Sequence, residues 1–282
     1  MPGIEIRRLT EETIPEINCC PDGIEVKGTS LRGDLTRALT WRKAMLAQGM
    51  AGFVAYHEGQ ARGFIEYMPA DVAPFPVEAP GGAVLMCYHW APVKKDDEAE
   101  HHAEELCLIR RVIDEVKGAF SGLATMGWED PVHFSIPLLK KVGLKPVQTS
   151  GEIRLMWLPL QRDASPARML PDRYRPPDLS SQGLLAIDSG WSSRCPYSIH
   201  NATRLDEVVH DLPDDVRQQV RHSSHCLDTR EDVAAYCFSP WNWEWMFFNG
   251  KSVPVFMPSE KIRERILTDV AKLSAARERG RP

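Results

Sequence analysis

The run "AVLMCYHWAP", Ala83 to Pro92, constrains the fold more than any other stretch of this chain. It is nearly unbroken in apolar character, yet far shorter than the roughly 18 apolar residues a membrane helix needs. A Pro/Gly-rich loop from Pro69 to Gly82 precedes it. A strand apolar on both faces must be covered on both, so this run belongs at the centre of a sheet flanked by helices. Next comes a crossover, "APVKKDDEAEHHAEELCLIRRVI", whose later part places Leu106, Ile109, Ile113 and Val116 on one helical face.

Working outward from that strand gives an ordered series. "GIEIRRLTEETIPEI" reads as a strand and a helix with Thr10 as N-cap; Thr13 at the third helical position leaves no full capping box. "LRGDLTRALTWRKAMLAQG" sets Leu31, Leu35, Leu39 and Met45 near helical spacing, with Gly49 as the stop. "MAGFVAYHEGQARGFIEYMPA" forms a hairpin turning at Gly59. Past the crossover come a strand "GLATMGW", a short helix "HFSIPLLKKVGL" and a last strand "SGEIRLMWLPL" ending near Leu160. Residues 161–183 are rich in Pro, Ser and charge and read as a linker. Then the pattern restarts: strand "GLLAID", loop "SGWSSRCPYS", helix "IHNATRLDEVVHDL", strand "VRQQVRHSSHCLD", hairpin "WNWEWMFFNGKSVPVF" turning at Asn249-Gly250, and a closing helix with Ser259 as N-cap. The fold class is α/β (α+β), in two domains, 1–160 and 184–282, joined by the 161–183 linker.

Composition removes several function classes. The net charge is -5 and the isoelectric point near 6.0, which gives no electrostatic case for nucleic acid. The N-terminus has no long apolar run, so no signal peptide is expected, and no membrane span is expected either. Seven cysteines without framework spacing read as reduced thiols in a cytoplasmic protein.

Several residue groups carry potential chemistry. His89 follows Cys87 by two residues, so both face one side of a strand; the plainer reading is a packed thiol and a hydrogen-bonded imidazole. Adjacent His101 and His102, with Glu104, point different ways on a helix and make a poor chelating set. His222, His225 and Cys226 in "HSSHC" could hold a metal, but an exposed polar loop is the simpler reading, and no metal site is expected. Trp241, Trp243 and Trp245 alternate on one strand face, first as a core or interface face and only second as a ligand platform. Cys195 lies between a strand and a helix, where the helix dipole favours thiolate.

The element order through Leu160, together with "GFIEYMPA", "VLMCYHW", "GLATMGW" and "LLKKVGL", resembles the GNAT family of acyl-CoA N-acyltransferases, with a mixed sheet flanked by helices. The second half resembles a thioredoxin-like fold, with "CPYS" similar to the glutaredoxin "CPYC" motif. A GNAT domain followed by such a module resembles the YoaP-type acetyltransferases, matched also by Glu66-Tyr67-Met68-Pro69 and Cys87. The resemblance implies transfer of an acetyl or other acyl group from acyl-CoA to an amine of a small molecule or peptide. It implies Glu66 as base, in a strand lining the acceptor cleft, and Cys87, His89 and Cys195 as further catalytic candidates. It implies cofactor contacts at Trp90, Val93, Lys94 and Lys95, and a groove where two strands near Cys87 and Thr125 part.

Departures from the family pattern matter. Such domains hold the pyrophosphate on glycine amides at a helix N-terminus. Here the crossover has no glycine but Lys94, Lys95 and then Asp96, Asp97, Glu98 and Glu100, which would satisfy the helix dipole themselves. Leu139 stands where many family members have an acid tyrosine. In "CPYS", Ser198 replaces the resolving cysteine, so Cys195 could form a mixed disulfide but not its own ring. Cys226 or Cys237 could resolve it only if brought near, and Pro240 is a candidate cis-proline. Two other readings stay open: a non-catalytic binding module with a degenerate CoA loop, and a thiol-redox protein working through Cys195.

Overall fold

The computed structural model describes residues 4–17, 19–20, 24–25, 31–90, 98–129, 134–236 and 244–280. The first sheet uses β1 (Ile4–Arg8), β2 (Ala51–His57), β3 (Gln60–Pro69), β4 (Ala83–Trp90), β5 (Gly122–Trp128), β6 (Lys145–Ser150) and β7 (Ile153–Pro159). Their order across the sheet is β1-β2-β3-β4-β5-β7-β6. Every pairing is antiparallel except β4 with β5. The apolar run from Ala83 is the middle strand, as its two-sided apolar character requires. Helices α1 (Arg32–Leu46), α2 (Glu98–Val116) and α3 (Ile136–Lys141) flank the sheet. On α2, Leu108, Ile109, Val112 and Val116 are fully buried, forming the apolar stripe that seats the crossover on the sheet.

A second, smaller sheet contains β8 (Leu185–Trp191), β9 (Val220–Cys226), β10 (Glu244–Phe248) and β11 (Lys251–Ser252), in the order β9-β8-β10-β11. Strands β8 and β9 are parallel; the other two pairings are antiparallel. Helices α4 (Pro196–His210), α5 (Arg230–Ala235) and α6 (Ser259–Glu278) complete this unit. Its core joins Leu185, Ile187, Leu205, Phe248, Ile262 and Ile266.

Both hairpins turn where the sequence places them. Glu58 and Gly59 have φ of 50° and 76°, and Asn249 and Gly250 have 43° and 71°. Positive φ at both central residues is the twist-matched hairpin turn, which glycine and asparagine tolerate best.

Four readings are corrected. Thr10 does not cap an α-helix: Thr10 and Thr13 bond each other across a turn, and only a short 3-10 turn, Ile14–Glu16, comes after it. Ser259 is the first residue of α6, whose N-cap is Pro258, and no side chain caps that end. The strand ending near Leu160 has a partner that its sequence does not announce. Strand β6 lies at the sheet edge and is exposed along nearly its whole length, so it carries no apolar alternation to read. Residues 161–183 are partly structured: Arg168–Met169 pair with Val77–Glu78, and Ala167 is buried in the first core.

Among the described residues, no helix is long and apolar enough to cross a membrane.

Candidate functional site

The site begins with a charged residue on an apolar stripe. Along α1, Leu35, Ala38, Arg42 and Met45 are all buried, at helical spacing. Three of them are apolar, so Arg42 needs a buried anion. It finds Glu66 on β3, to whose Oε1 its Nε donates. Arg42 is 3% exposed and Glu66 0%. Ions taken this far from water persist only when paired. Glu66 Oε2 has no hydrogen-bond partner among the described residues.

Strand register builds the rest of this face. Cys87 on β4 lies directly opposite Glu66, and His89 opposite Phe64. Opposed residues of an antiparallel pair share a face, so Glu66, Cys87 and His89 come together as strand alternation predicts. His89 is buried, whereas Cys87 keeps part of its surface open to solvent. Burial, with Glu66 nearby, pushes the Cys87 thiol up to about 12, so it is protonated at neutral pH. The opposite face of the sheet carries Tyr88, whose hydroxyl is raised by burial and by Glu105, and whose ring lies 4.4 Å from that of Phe134.

Beside this cluster, β4 and β5 part. They pair at only two positions, Ala83 with Leu123 and Val84 with Ala124. Beyond that point β4 stays bound to β3 as far as Trp90, while β5 stays bound to β7 as far as Trp128. At the fork the Thr125 hydroxyl, not a backbone amide, donates to the Leu85 carbonyl, at 3.0 Å. The inner edge of β4 from Met86 onward therefore has no ladder partner on β5, and such a strand edge can take up an extended ligand.

The remaining sequence candidates are scattered. The backbone of Trp90 pairs with Gly63. Val93, Lys94 and Lys95 lie outside the described residues, as do Cys237, Pro240, Trp241 and Trp243. Leu139 is fully buried against Gly127, where an added Cβ would come within 3.0 Å of its side chain. Among the described residues no group of His, Cys, Asp or Glu has metal-holding geometry. In "HSSHC", His222 turns to Asp206 at 3.5 Å and His225 to Asp188 at 2.9 Å. Odd spacing on a strand sends the two rings to opposite faces. Asp188 also accepts from the Tyr174 hydroxyl at 2.8 Å, and Trp245 packs against Tyr174, His225 and Phe247 in a small aromatic core.

Cys195, in the second domain, lies within electrostatic reach of Cys87. It is the N-cap residue of α4, its side chain makes no capping bond, and it is partly open to solvent. It packs with Tyr197 against Leu31, Leu35 and Leu39 of the first domain. Ser198, at the resolving position of the motif, is buried and accepts from the Ser192 amide at 3.0 Å. Arg194 precedes Cys195, and nothing in the sequence singles it out. It is 5% exposed, stands 5.5 Å over the Phe75 ring, and lies within electrostatic reach of Glu66, Cys87, Arg42 and Cys195.

No family model and no curated protein matches the sequence. Solved structures do resemble it. The ribosomal-protein-S18-alanine N-acetyltransferase of Escherichia coli is 13% identical, with a TM-score of 0.40, over 57% of this chain and 96% of that one. A GNAT family acetyltransferase from Brucella melitensis, solved with acetyl-CoA, is 18% identical, with a TM-score of 0.38, over 57% of this chain and 91% of that one. The PaiA N-acetyltransferase of Thermoplasma acidophilum, solved with coenzyme A, is 16% identical, with a TM-score of 0.37, over 56% and 99%.

Proposed function

We propose that the chain is an acyl-CoA-dependent N-acyltransferase that moves an acetyl or other acyl group to an amine of a small molecule or peptide. The observation that carries this reading is the fork between β4 and β5, with Glu66, Cys87 and His89 beside it. An extended amide-bearing arm such as pantetheine can hydrogen-bond to the open edge of β4, as a strand would. Its thioester would then lie near the face that Glu66 shares with Cys87.

Acyl transfer to an amine needs the ammonium to lose a proton and the departing thiolate to gain one. In this reading, Glu66 Oε2 holds the ammonium and takes its proton, Arg42 fixes the carboxylate through Oε1, and the second proton that the nitrogen sheds as the amide forms passes to the departing thiolate. Cys87, protonated at neutral pH, lines the pocket as a thiol rather than as a nucleophile. The acyl carrier supplies the activated carbonyl. Lys94 and Lys95 would offset the acids at the start of α2 and hold the carrier's phosphates.

The second domain supports a thioredoxin-like reading through its order β8-α4-β9-α5-β10-β11-α6 and its central parallel pair. The reading as a thiol-redox protein is weaker, because the buried Ser198 offers no resolving thiol. The protein is read as cytoplasmic.

Calorimetric titration of the full chain with acetyl-CoA tests the proposal. Binding is expected, weakened markedly by Lys94→Glu with Lys95→Glu, and Glu66→Gln should bind acetyl-CoA normally yet lose about 10²-fold in kcat. Absence of heat with acetyl-CoA would leave the binding-module reading in its place.

A further inference from the structure

The fork between β4 and β5 is fastened at both ends. At its base the Thr125 hydroxyl donates to the Leu85 carbonyl at 3.0 Å. At its mouth the chain that follows β5 comes back against that strand. The Trp128 amide donates to the Phe134 carbonyl at 3.1 Å, and Trp128 forms a parallel bridge with Ser135. In a strand the N–H of one residue serves one edge. The other edge of β5 is taken by β7 as far as Trp128. Phe134 and Ser135 therefore lie along the inner edge, the one that faces β4.

From there Phe134 reaches across to β4. Its ring lies 4.4 Å from the Tyr88 ring, inclined at 40°, and both residues are buried. The register of the Ala83–Leu123 and Val84–Ala124 pairs, carried forward, sets Tyr88 level with the end of β5. The ring pair thus spans the fork. The two rings are held unequally. Tyr88 is fixed, because its backbone pairs with Ile65 in the ladder and Glu105 of α2 lies at its hydroxyl. Phe134 stands outside any strand, just before Ser135, the N-cap residue of α3, whose side chain makes no capping bond. A turn of the Phe134 side chain to another rotamer breaks no backbone bond.

An acyl carrier has to pass this point. In the transferase reading its phosphates lie at Lys94 and Lys95, beyond the end of β4, and its thioester lies near Cys87. An arm joining the two along the inner edge of β4 passes Tyr88. A strand-like ligand needs about 4.8 Å beside the strand it bonds to, and at Tyr88 the ring pair bridges that space. We propose that Tyr88 and Phe134 form a gate across the fork, that the structure shows the gate closed, and that Phe134 swings away before the carrier arm lies along β4. This names a control on the transferase site and rests on that reading. Only the open fraction of the protein then binds, so the apparent affinity is lowered by that fraction. An aromatic pair of this kind favours the closed state by up to about 10-fold.

The test follows acetyl-CoA binding to the full chain by calorimetry and by stopped-flow fluorescence, in the wild type, Phe134→Leu and Phe134→Ala. Leucine keeps an apolar side chain in the core and removes only the ring pair. Both variants should bind acetyl-CoA more tightly than wild type, by about 10-fold, with most of the change in the association rate. A phenylalanine that served instead as a contact for the bound arm would act the other way, and its loss would weaken binding. Where Phe134→Ala does not fold, Phe134→Leu decides. Unchanged or weaker binding in the variants overturns the gate and leaves the transferase reading standing. Binding to a variant but not to the wild type supports the gate. Absence of heat with all three proteins overturns the transferase reading, and the gate with it.

Discussion

Glu244 shows how position alone remakes a residue. It starts β10, is half-buried beside α4, and accepts from Asn201 Nδ2 at 3.1 Å. Burial, with Cys195 nearby, raises its carboxyl to about 7. An acid raised in the folded state binds more protons folded than unfolded between its ordinary value, near 4.5, and 7. Stability from this group therefore falls as pH climbs through that window, and the full penalty, about 3 kcal/mol, applies above it. Glu244→Gln keeps an acceptor for Asn201 and removes the charge. Urea unfolding should show the variant more stable at pH 8 by up to about 3 kcal/mol and level with wild type near pH 4.5. A gap independent of pH would mean that the carboxylate is not the cause. Residue-scale features differ in how far the sequence discloses them. Arg42 was legible in principle, as a lone cation on an apolar helical stripe, and the shared face of Cys87 and His89 came directly from strand alternation. Arg194 was not legible. It sits in an irregular loop where no period exists to be broken, and it stands over Phe75 across the domain boundary.

Elements announced themselves wherever a period or a turn residue did the specifying. Glu58-Gly59 and Asn249-Gly250 marked both hairpins, and the unbroken run from Ala83 marked the central strand. Strand β6 was missed because an exposed edge strand needs no apolar face, and its place is set by pairing with β7. The turn after β10 has a second task that its sequence does not advertise. Asn249 Oδ1 accepts from the amides of Ala186 at 2.7 Å and Leu179 at 3.2 Å, and its Nδ2 donates to the Leu184 carbonyl at 3.1 Å. One side chain thus ties the end of the linker to the start of β8. Asn249→Ala strands two amides and strains a positive φ, and should cost about 2–4 kcal/mol. Asn249→Gly relieves the φ but still strands the amides, so it should recover only about 1 kcal/mol of that loss. Chemical unfolding of the two variants separates the contributions. If Asn249→Gly matched wild type, the turn conformation alone would account for the residue.

At the scale of the whole molecule the question is whether the two units behave as one. The sequence marks 161–183 as a linker between two domains, and its proline and charge say nothing about what the flanking units do to each other. Contact between them depends on surfaces from distant parts of the chain. Leu31 and Leu35 form a small buried cluster of their own with Leu39, Cys195 and Tyr197, and Leu39 joins it to the first core. An apolar seam of that kind, reinforced by the Asp34–His200 pair and by the buried Arg194, makes opening the domains costly, since it would expose leucines and strip Arg194 of its surroundings. Docking of this kind couples unfolding, so scanning calorimetry of the full chain should give one endotherm. Leu35→Asp places a charge in the seam without touching the first core, and should split the endotherm in two while each unit keeps its secondary structure by circular dichroism. The same variant should still bind acetyl-CoA, because the fork between β4 and β5 belongs to the first domain alone. If Leu35→Asp melted as a single transition, the seam would not be what couples the two units.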